Sequence, residues 1–322
     1  MRAASQGPAP RQTDMTARTP SRAANSSSAA TGAAARVTRH EIASGDRAIA
    51  VHVCYPAGYP SAWGAHPLPW LLYLHAGGFV DGGVERAARL TQSLAAAVPA
   101  VVVAPEYSLA PDHPFPAAPE DAFNTTEWVL RNGRKLKVDK HRFALVGEEA
   151  GGNLAIAVAQ MLRDRGLPAP VAQWLIRPVT DPCLQHASCG GAGKVPLETL
   201  QRLAGYYREY LPTPAASVHP YAAPAHAMRL AGLPATLIQV AEADALRPEG
   251  EAFGRKLAAC GVATETQIMA GACGAGVEAS HDRCQVWVEE GARYLRARLA
   301  AGDDASPQAE RHPVDKPADM AP

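Results

Sequence analysis

Short β-rich runs recur along this chain with longer helix-period stretches between them, and this alternation restricts its fold more than any other feature. The runs fall at 49–54, 69–74, 100–104, 143–146, 173–178, 235–240 and 264–269. Helical periodicity fits 85–97, 119–132, 151–165, 248–260 and a closing 282–299, where Val286, Tyr294, Leu295 and Leu299 supply the apolar positions. Strands separated by whole helices cannot be joined as hairpins, so the pattern predicts an α/β domain: a mostly parallel sheet with helices on both faces. Segment 183–218 breaks the rhythm and has the length of a helical lid over the sheet's carboxyl edge, where open α/β sheets bind ligands.

The two ends read differently. Residues 1–36 are rich in Ala, Ser, Thr and Arg and nearly lack large apolar residues, so they are expected to be disordered; 302–322 is a polar, Pro-rich tail. Between them, 37–301 forms one domain, with 47% of the whole sequence apolar. Lys plus Arg total 31 and so do Asp plus Glu, which leaves no excess positive charge to neutralise phosphates or anionic lipid. Nucleic acid and membranes are therefore not expected partners. No run approaches the ~18 apolar residues of a membrane span and no secretory signal is evident, so the chain reads as soluble and cytoplasmic. The acid-poor start has the look of a transit peptide, but the equally Ala- and Arg-rich body makes that a bias of the whole protein. Its six cysteines, without a C-x-x-C pair, read as free thiols, and neither a metal nor a cofactor is expected.

Five motifs carry chemistry. His75-Ala76-Gly77-Gly78-Phe79 is a glycine-rich turn that can aim backbone N–H groups into a cleft. Glu106 to Ala122 includes Tyr107-Ser108-Leu109-Ala110-Pro111-Asp112-His113-Pro114-Phe115-Pro116-Ala117; Gly147-Glu148-Glu149-Ala150-Gly151-Gly152-Asn153-Leu154 joins a strand to an Ala-rich helix. Ala241 to Gly250 carries Asp244, and Gly271-Ala272-Cys273-Gly274 follows. In this order and spacing the motifs resemble those of the hormone-sensitive-lipase-like carboxylesterases, with D-Y-R-L-A-P-E-H-P-F-P-A, G-D-S-A-G-G-N-L, D-P-L-R-D-E-G and G-x-x-H. The resemblance runs from about Arg36 to Ala300 and implies the α/β-hydrolase fold with a mostly parallel eight-stranded sheet.

It also implies a serine nucleophile and a catalytic histidine, and here the chain departs. The nucleophile position is Glu149 and the histidine position is Gly274. By resemblance Asp244 is the triad acid, and Gly77, Gly78 and Ala150 supply the N–H groups of the oxyanion hole, with His75 structural. A carboxylate is a poor attacker of an ester carbonyl, and glycine offers no proton acceptor. His281 is the nearest candidate replacement, but Ser280-His281-Asp282 reads as the start of the last helix. Cys273 reads as inert and Ser188 as a surface serine. Arg177, where the family has tyrosine, is expected to face Glu148 or a bound anion, with the Glu148 pair the first choice. The Glu149 carboxylate is expected to turn onto the Gly77, Gly78 and Ala150 N–H groups, under a lid presenting Leu200, Leu203 and Tyr206 or Tyr207.

The preferred reading is a pseudo-esterase that keeps a cleft for a small apolar ester or carboxylic acid; homodimerisation stays open. Whether any turnover remains is not decided by sequence. One alternative is a hydrolase acting on carboxylic ester bonds with weak or non-standard catalysis through Glu149. In another, Glu149 attacks an alkyl carbon, as the aspartate of dehalogenases does, but that route needs a histidine to activate water.

Overall fold

A computed structural model describes residues 35–61, 66–188, 195–270 and 284–301. All of them belong to one compact unit. Eight strands form one sheet: β1 (Arg36–Ser44), β2 (Arg47–Tyr55), β3 (Leu68–Leu74), β4 (Val101–Pro105), β5 (Val138–Glu148), β6 (Ala172–Ile176), β7 (Ala235–Ala241) and β8 (Thr264–Met269). Their spatial order is β1-β2-β4-β3-β5-β6-β7-β8. β2 pairs antiparallel with β1 and β4, and every other pairing is parallel. This is the mostly parallel eight-stranded sheet of the α/β-hydrolase fold.

Strands β4 and β6 are buried at every position, as expected when helices cover both faces. Successive side chains alternate between two cores. Trp70, Leu72, Leu74, Phe143 and Leu145 share one with helices α2 (Ala117–Leu136) and α3 (Ala150–Asp164). Leu71, Tyr73, Val146, Trp174 and Leu237 share the other with Leu90 and Leu94 of helix α1 (Ala88–Ala97). The closing helix covers that second face.

The segment breaking the rhythm contains a short helix α4 (Gln185–Ser188), then helix α5 (Leu197–Tyr210) and a 3-10 turn Ala216–Val218. A second 3-10 turn, Pro224–His226, leads towards β7; helices α6 (Arg247–Ala259) and α7 (Gln285–Ala301) complete the fold. No described helix is long and apolar enough to cross a membrane.

Several expectations are corrected. β1 was not anticipated and opens at Arg36, the last residue of the segment expected to be disordered; residues 1–34 lie outside the described ones. Its sequence RVTRHEIAS buries only Ile42 and Ser44, as suits an edge strand whose apolar signal is weak. Helix α7 starts at Gln285, and Val286 is 60% exposed while Trp287 and Val288 face the core. Cys54, Cys183 and Cys260 are free thiols, but Cys284 is disulfide-bonded, which the absence of a C-x-x-C pair does not exclude.

Helix α7 lies close to the sheet at Gly291. A Cβ there would sit 2.3 Å from Cζ2 of Trp174, whose indole N–H donates to Gln239 Oε1 at 2.9 Å and so cannot easily turn aside. Helix propensity alone favours Gly291→Ala by about 1 kcal/mol. Overpacking costs about 1–3 kcal/mol. We expect Gly291→Ala to lower stability in urea unfolding; a raised midpoint would contradict this packing.

Candidate active-site cleft

Four neighbouring strands deliver the site at their carboxyl ends: β3 leads to the glycine-rich turn, β5 to Glu149, β6 to Arg177 and β7 to Asp244. The turn from β5 into α3 is tight. Glu149 adopts φ 53° and ψ −110°, far from the preferred backbone regions, a geometry that costs on the order of 1–3 kcal/mol. Small neighbours make it feasible: a Cβ on Gly147 would lie 2.1 Å from the Gly151 carbonyl oxygen, and one on Gly151 would lie 2.0 Å from that of Leu74. The Glu149 N–H donates to the Ile176 carbonyl at 2.8 Å, fixing the turn onto the adjacent strand.

The side chain thrust out by this turn meets the loop after β3. Glu149 Oε2 accepts hydrogen bonds from the Gly77 N–H at 2.9 Å and the Gly78 N–H at 3.2 Å. Ala150, expected as a third donor, stands at the first position of α3 and does not donate to the carboxylate. The loop is held from several sides. His75 is buried and stacked on Tyr107 with centroids 4.0 Å apart, and the Tyr107 hydroxyl donates to the His75 carbonyl at 2.8 Å. Burial pushes the His75 imidazole down to about 4, and its Nδ1 lies 2.8 Å from the Ala76 carbonyl, so this histidine is a neutral part of the loop's framework.

Arg177 binds Asp244. Its Nε donates to Asp244 Oδ2, while Nη1 lies 3.8 Å from Glu148 Oε1. The expected pair with Glu148 is therefore present but is the longer of two, and the Asp244 pair was not anticipated. Arg177 itself sits at φ 48°, which turns its side chain into the cleft. Burial alone would lower its pKa; Asp244, and then Glu148 and Glu149, outweigh that and raise it. Asp244 Oδ1 accepts the Leu246 N–H at 2.9 Å, so both carboxylate oxygens are engaged.

A cavity of about 260 Å³ opens here, lined by Glu149, Arg177, Arg202, Leu203, Asp244 and Leu246 among others. Of the lid residues expected to line it, only Leu203 does. Tyr206 instead covers the loop, its ring 2.2 Å from where a Gly78 Cβ would be, and Tyr207 and Tyr210 pack on Phe79. Leu200 packs against the core. The cavity is thus more charged than the apolar cleft expected, because α5 turns its tyrosines onto the loop and leaves Arg202 at the opening. Arg202 and the Arg177–Asp244 contact were missed by sequence reasoning; helical periodicity in LETLQRLAGYYREY does not say which polar position faces a cleft. Gly274, Cys273 and His281 lie outside the described residues.

Behind the cleft, Glu249 is almost wholly buried, and its Oε1 accepts from the Thr180 N–H, the Thr180 hydroxyl at 3.0 Å and the Asp181 N–H at 2.9 Å. Burial pushes its carboxyl up to about 7 despite these donors. The contact ties α6 to the segment that follows Arg177.

Comparison with known proteins agrees with this fold. Residues 71–274 match the family described as alpha/beta hydrolase fold, and the chain belongs to that hormone-sensitive-lipase-like family. It is 39% identical over 202 residues to the esterase LipI of Mycobacterium tuberculosis, covering 61% of this chain and 62% of LipI. It is 35% identical over 202 residues to an ethyl acetate hydrolase of Pseudomonas putida, covering 62% and 64%. The chain thus spans less than two thirds of the length of these curated relatives. Among solved structures it resembles a hyperthermophilic esterase from the archaeon Pyrobaculum calidifontis, with TM-score 0.72, 35% identity and coverage of 81% and 83%.

The Arg177–Asp244 pair is open to a double-mutant cycle. Removing only the guanidinium leaves Asp244 and Glu148 facing each other in a poorly solvated site, so Arg177→Leu should cost about 3 kcal/mol in denaturant unfolding. Combining it with Asp244→Asn should recover a large part of that loss; strictly additive losses would contradict the pairing.

Proposed function

We propose that this protein is a pseudo-esterase: a member of the esterase family that binds a small ester or carboxylic acid in the inherited cleft without acyl transfer at the elbow. The observation that carries this reading is Glu149, whose Oε2 lies 2.9 and 3.2 Å from the N–H groups of Gly77 and Gly78. In the family's chemistry those donors stabilise the oxyanion of a tetrahedral intermediate. Here a resident anion takes them.

The chemistry at the other positions supports the same reading. Attack by the Glu149 carboxylate on an ester carbonyl would expel an alkoxide to form an anhydride, an uphill exchange of a stable acyl compound for a reactive one. Asp244, the family's acid by position, is bound to Arg177 rather than free to orient an imidazole. Gly274 supplies no base. A role for Glu149 as the seat of weak ester hydrolysis is not favoured, since it needs both the hole and a base. At about 260 Å³ the cavity lies below the usual ~300–1,000 Å³ of small-molecule pockets, which suits a short ligand. Among the described residues Arg202 has no ion-pair partner, and it can take a ligand carboxylate beside the apolar walls of Leu203 and Leu246.

Turnover of p-nitrophenyl acetate and butyrate tests the proposal. Wild type and Glu149→Ala should both remain at background, and activity that Glu149→Ala abolishes would overturn it. Triad members act as a unit, and loss of the acid alone costs about 3 × 10⁴-fold. Glu149→Ser with Gly274→His should therefore gain little while Arg177 holds Asp244. Adding Arg177→Tyr, the residue of the family's pattern, should release Asp244 and raise the rate well above that of the double variant.

A further inference from the structure

We propose that Asp181, Cys183 and His226 form a binding site for a divalent transition metal of the Zn²⁺ class, and that the metal staples together the two ends of the inserted lid segment. One ligand atom from each residue, a carboxylate oxygen, Sγ and a ring nitrogen, lies within 4.8 Å of both others. A tetrahedral zinc site with bonds of about 2.0–2.3 Å sets its donors roughly 3.3–3.7 Å apart, so closing this site takes side-chain shifts of about 1 Å. The residues differ in freedom in the way such closure needs. Asp181 is buried, whereas Cys183 is exposed and the His226 side chain is 32% exposed.

The backbone already holds the ligands in register. The Ala225 N–H donates to the Thr180 carbonyl at 3.0 Å, tying the turn that carries His226 to the residue before Asp181. Lys256 Nζ donates to the Ala225 carbonyl at 2.6 Å, and the Asp181 N–H donates to Glu249, so α6 braces both sides. Asp181 Oδ1 accepts the Cys183 N–H at 2.9 Å and Oδ2 accepts the Gln185 N–H at 3.0 Å, which folds the cysteine back beside the carboxylate.

His226 Nε2 lies 2.9 Å from Asp181 Oδ1. An ion pair alone would account for those two residues, but not for a thiol at the third corner. A mixed oxygen, sulfur and nitrogen set suits Zn²⁺ or Co²⁺ rather than Ca²⁺ or Mg²⁺, which take oxygen ligands. Three protein ligands leave one position for water. On binding, the Cys183 thiol proton goes to solvent, and the proton that His226 Nε2 donates to Asp181 is exchanged through solvent for one on Nδ1, which frees the Nε2 lone pair for the metal. Asp181 and His226 stand 45 positions apart on either side of the lid segment, so the link closes a long loop at its base.

The test uses the full chain, stripped with a chelator and titrated with Co²⁺. A thiolate-to-cobalt charge-transfer band should saturate at one equivalent, disappear on addition of Zn²⁺, and be lost in Cys183→Ser and in His226→Gln. In the wild type, Zn²⁺ should also slow iodoacetamide labelling of Cys183, read by mass spectrometry, and leave that of Cys260 unchanged. No band at one equivalent, a band surviving either substitution, or Cys183 labelling indifferent to Zn²⁺ would overturn the proposal.

Discussion

The turn between β5 and α3 can be made only one way. A strand ending at the centre of the sheet must reverse at once into a helix packed beneath its neighbours, and the backbone at residue 149 takes φ 53° to do so. Gly147 and Gly151 admit no side chain, so nothing beside residue 149 can shield it. Whatever side chain stands at 149 is pushed towards the loop after β3. With a hydroxyl there, the turn presents a nucleophile; with a carboxylate, it presents an anion to two N–H groups aimed at the same point. The change in chemistry needs no change in fold, which is why the chain is similar over most of its domain to esterases while its elbow carries glutamate.

That substitution alters the charge of the cleft, and the surrounding residues answer it. Glu148, Glu149 and Asp244 bring three carboxylates to one cleft, and Arg177 enters among them from the end of β6. A guanidinium can meet two carboxylates at once and stays charged when buried, which a tyrosine could not do. In the proposed reading, Glu149, Arg177 and Gly274 form one set: the first fills the oxyanion hole, the second takes the acid's orienting role away from any imidazole, and the third removes the base. The lid completes the arrangement by laying Tyr206 on Gly78 and Tyr210 on Phe79.

Much of this was legible because it is local. The runs that became β4 and β6 are apolar throughout since both faces of the sheet are covered, and glycines at 147, 151 and 152 mark the elbow directly. Periodicity failed where burial is partial. β1 alternates weakly because it lies at the sheet's edge; α2 runs on to Leu136 because Gly133 sits within the helix close to the Val138 carbonyl rather than ending it. Contacts between distant segments were legible only in part: the family resemblance put Glu149 on the Gly77 and Gly78 N–H groups, but other pairings left no trace in the sequence. Arg177 meets Asp244 across 67 positions and Asp181 meets His226 across 45, and no pattern along the chain records which strand ends come together. The lid shows the same limit: its place in the chain was evident, but which face turns to the glycine-rich loop depends on how α5 docks.

Glu149 closes the cleft to an oxyanion only if it occupies the two N–H donors in solution. Amide protons that donate to a carboxylate resonate well downfield of ordinary ones, so the ¹H–¹⁵N resonances of Gly77 and Gly78 report the contact directly. In a specifically labelled full-length protein, both should lie downfield in the wild type and move markedly upfield in Glu149→Ala, with the remaining spectrum largely preserved. Resonances of Gly77 and Gly78 that are the same in the two proteins would mean that the carboxylate does not fill the site.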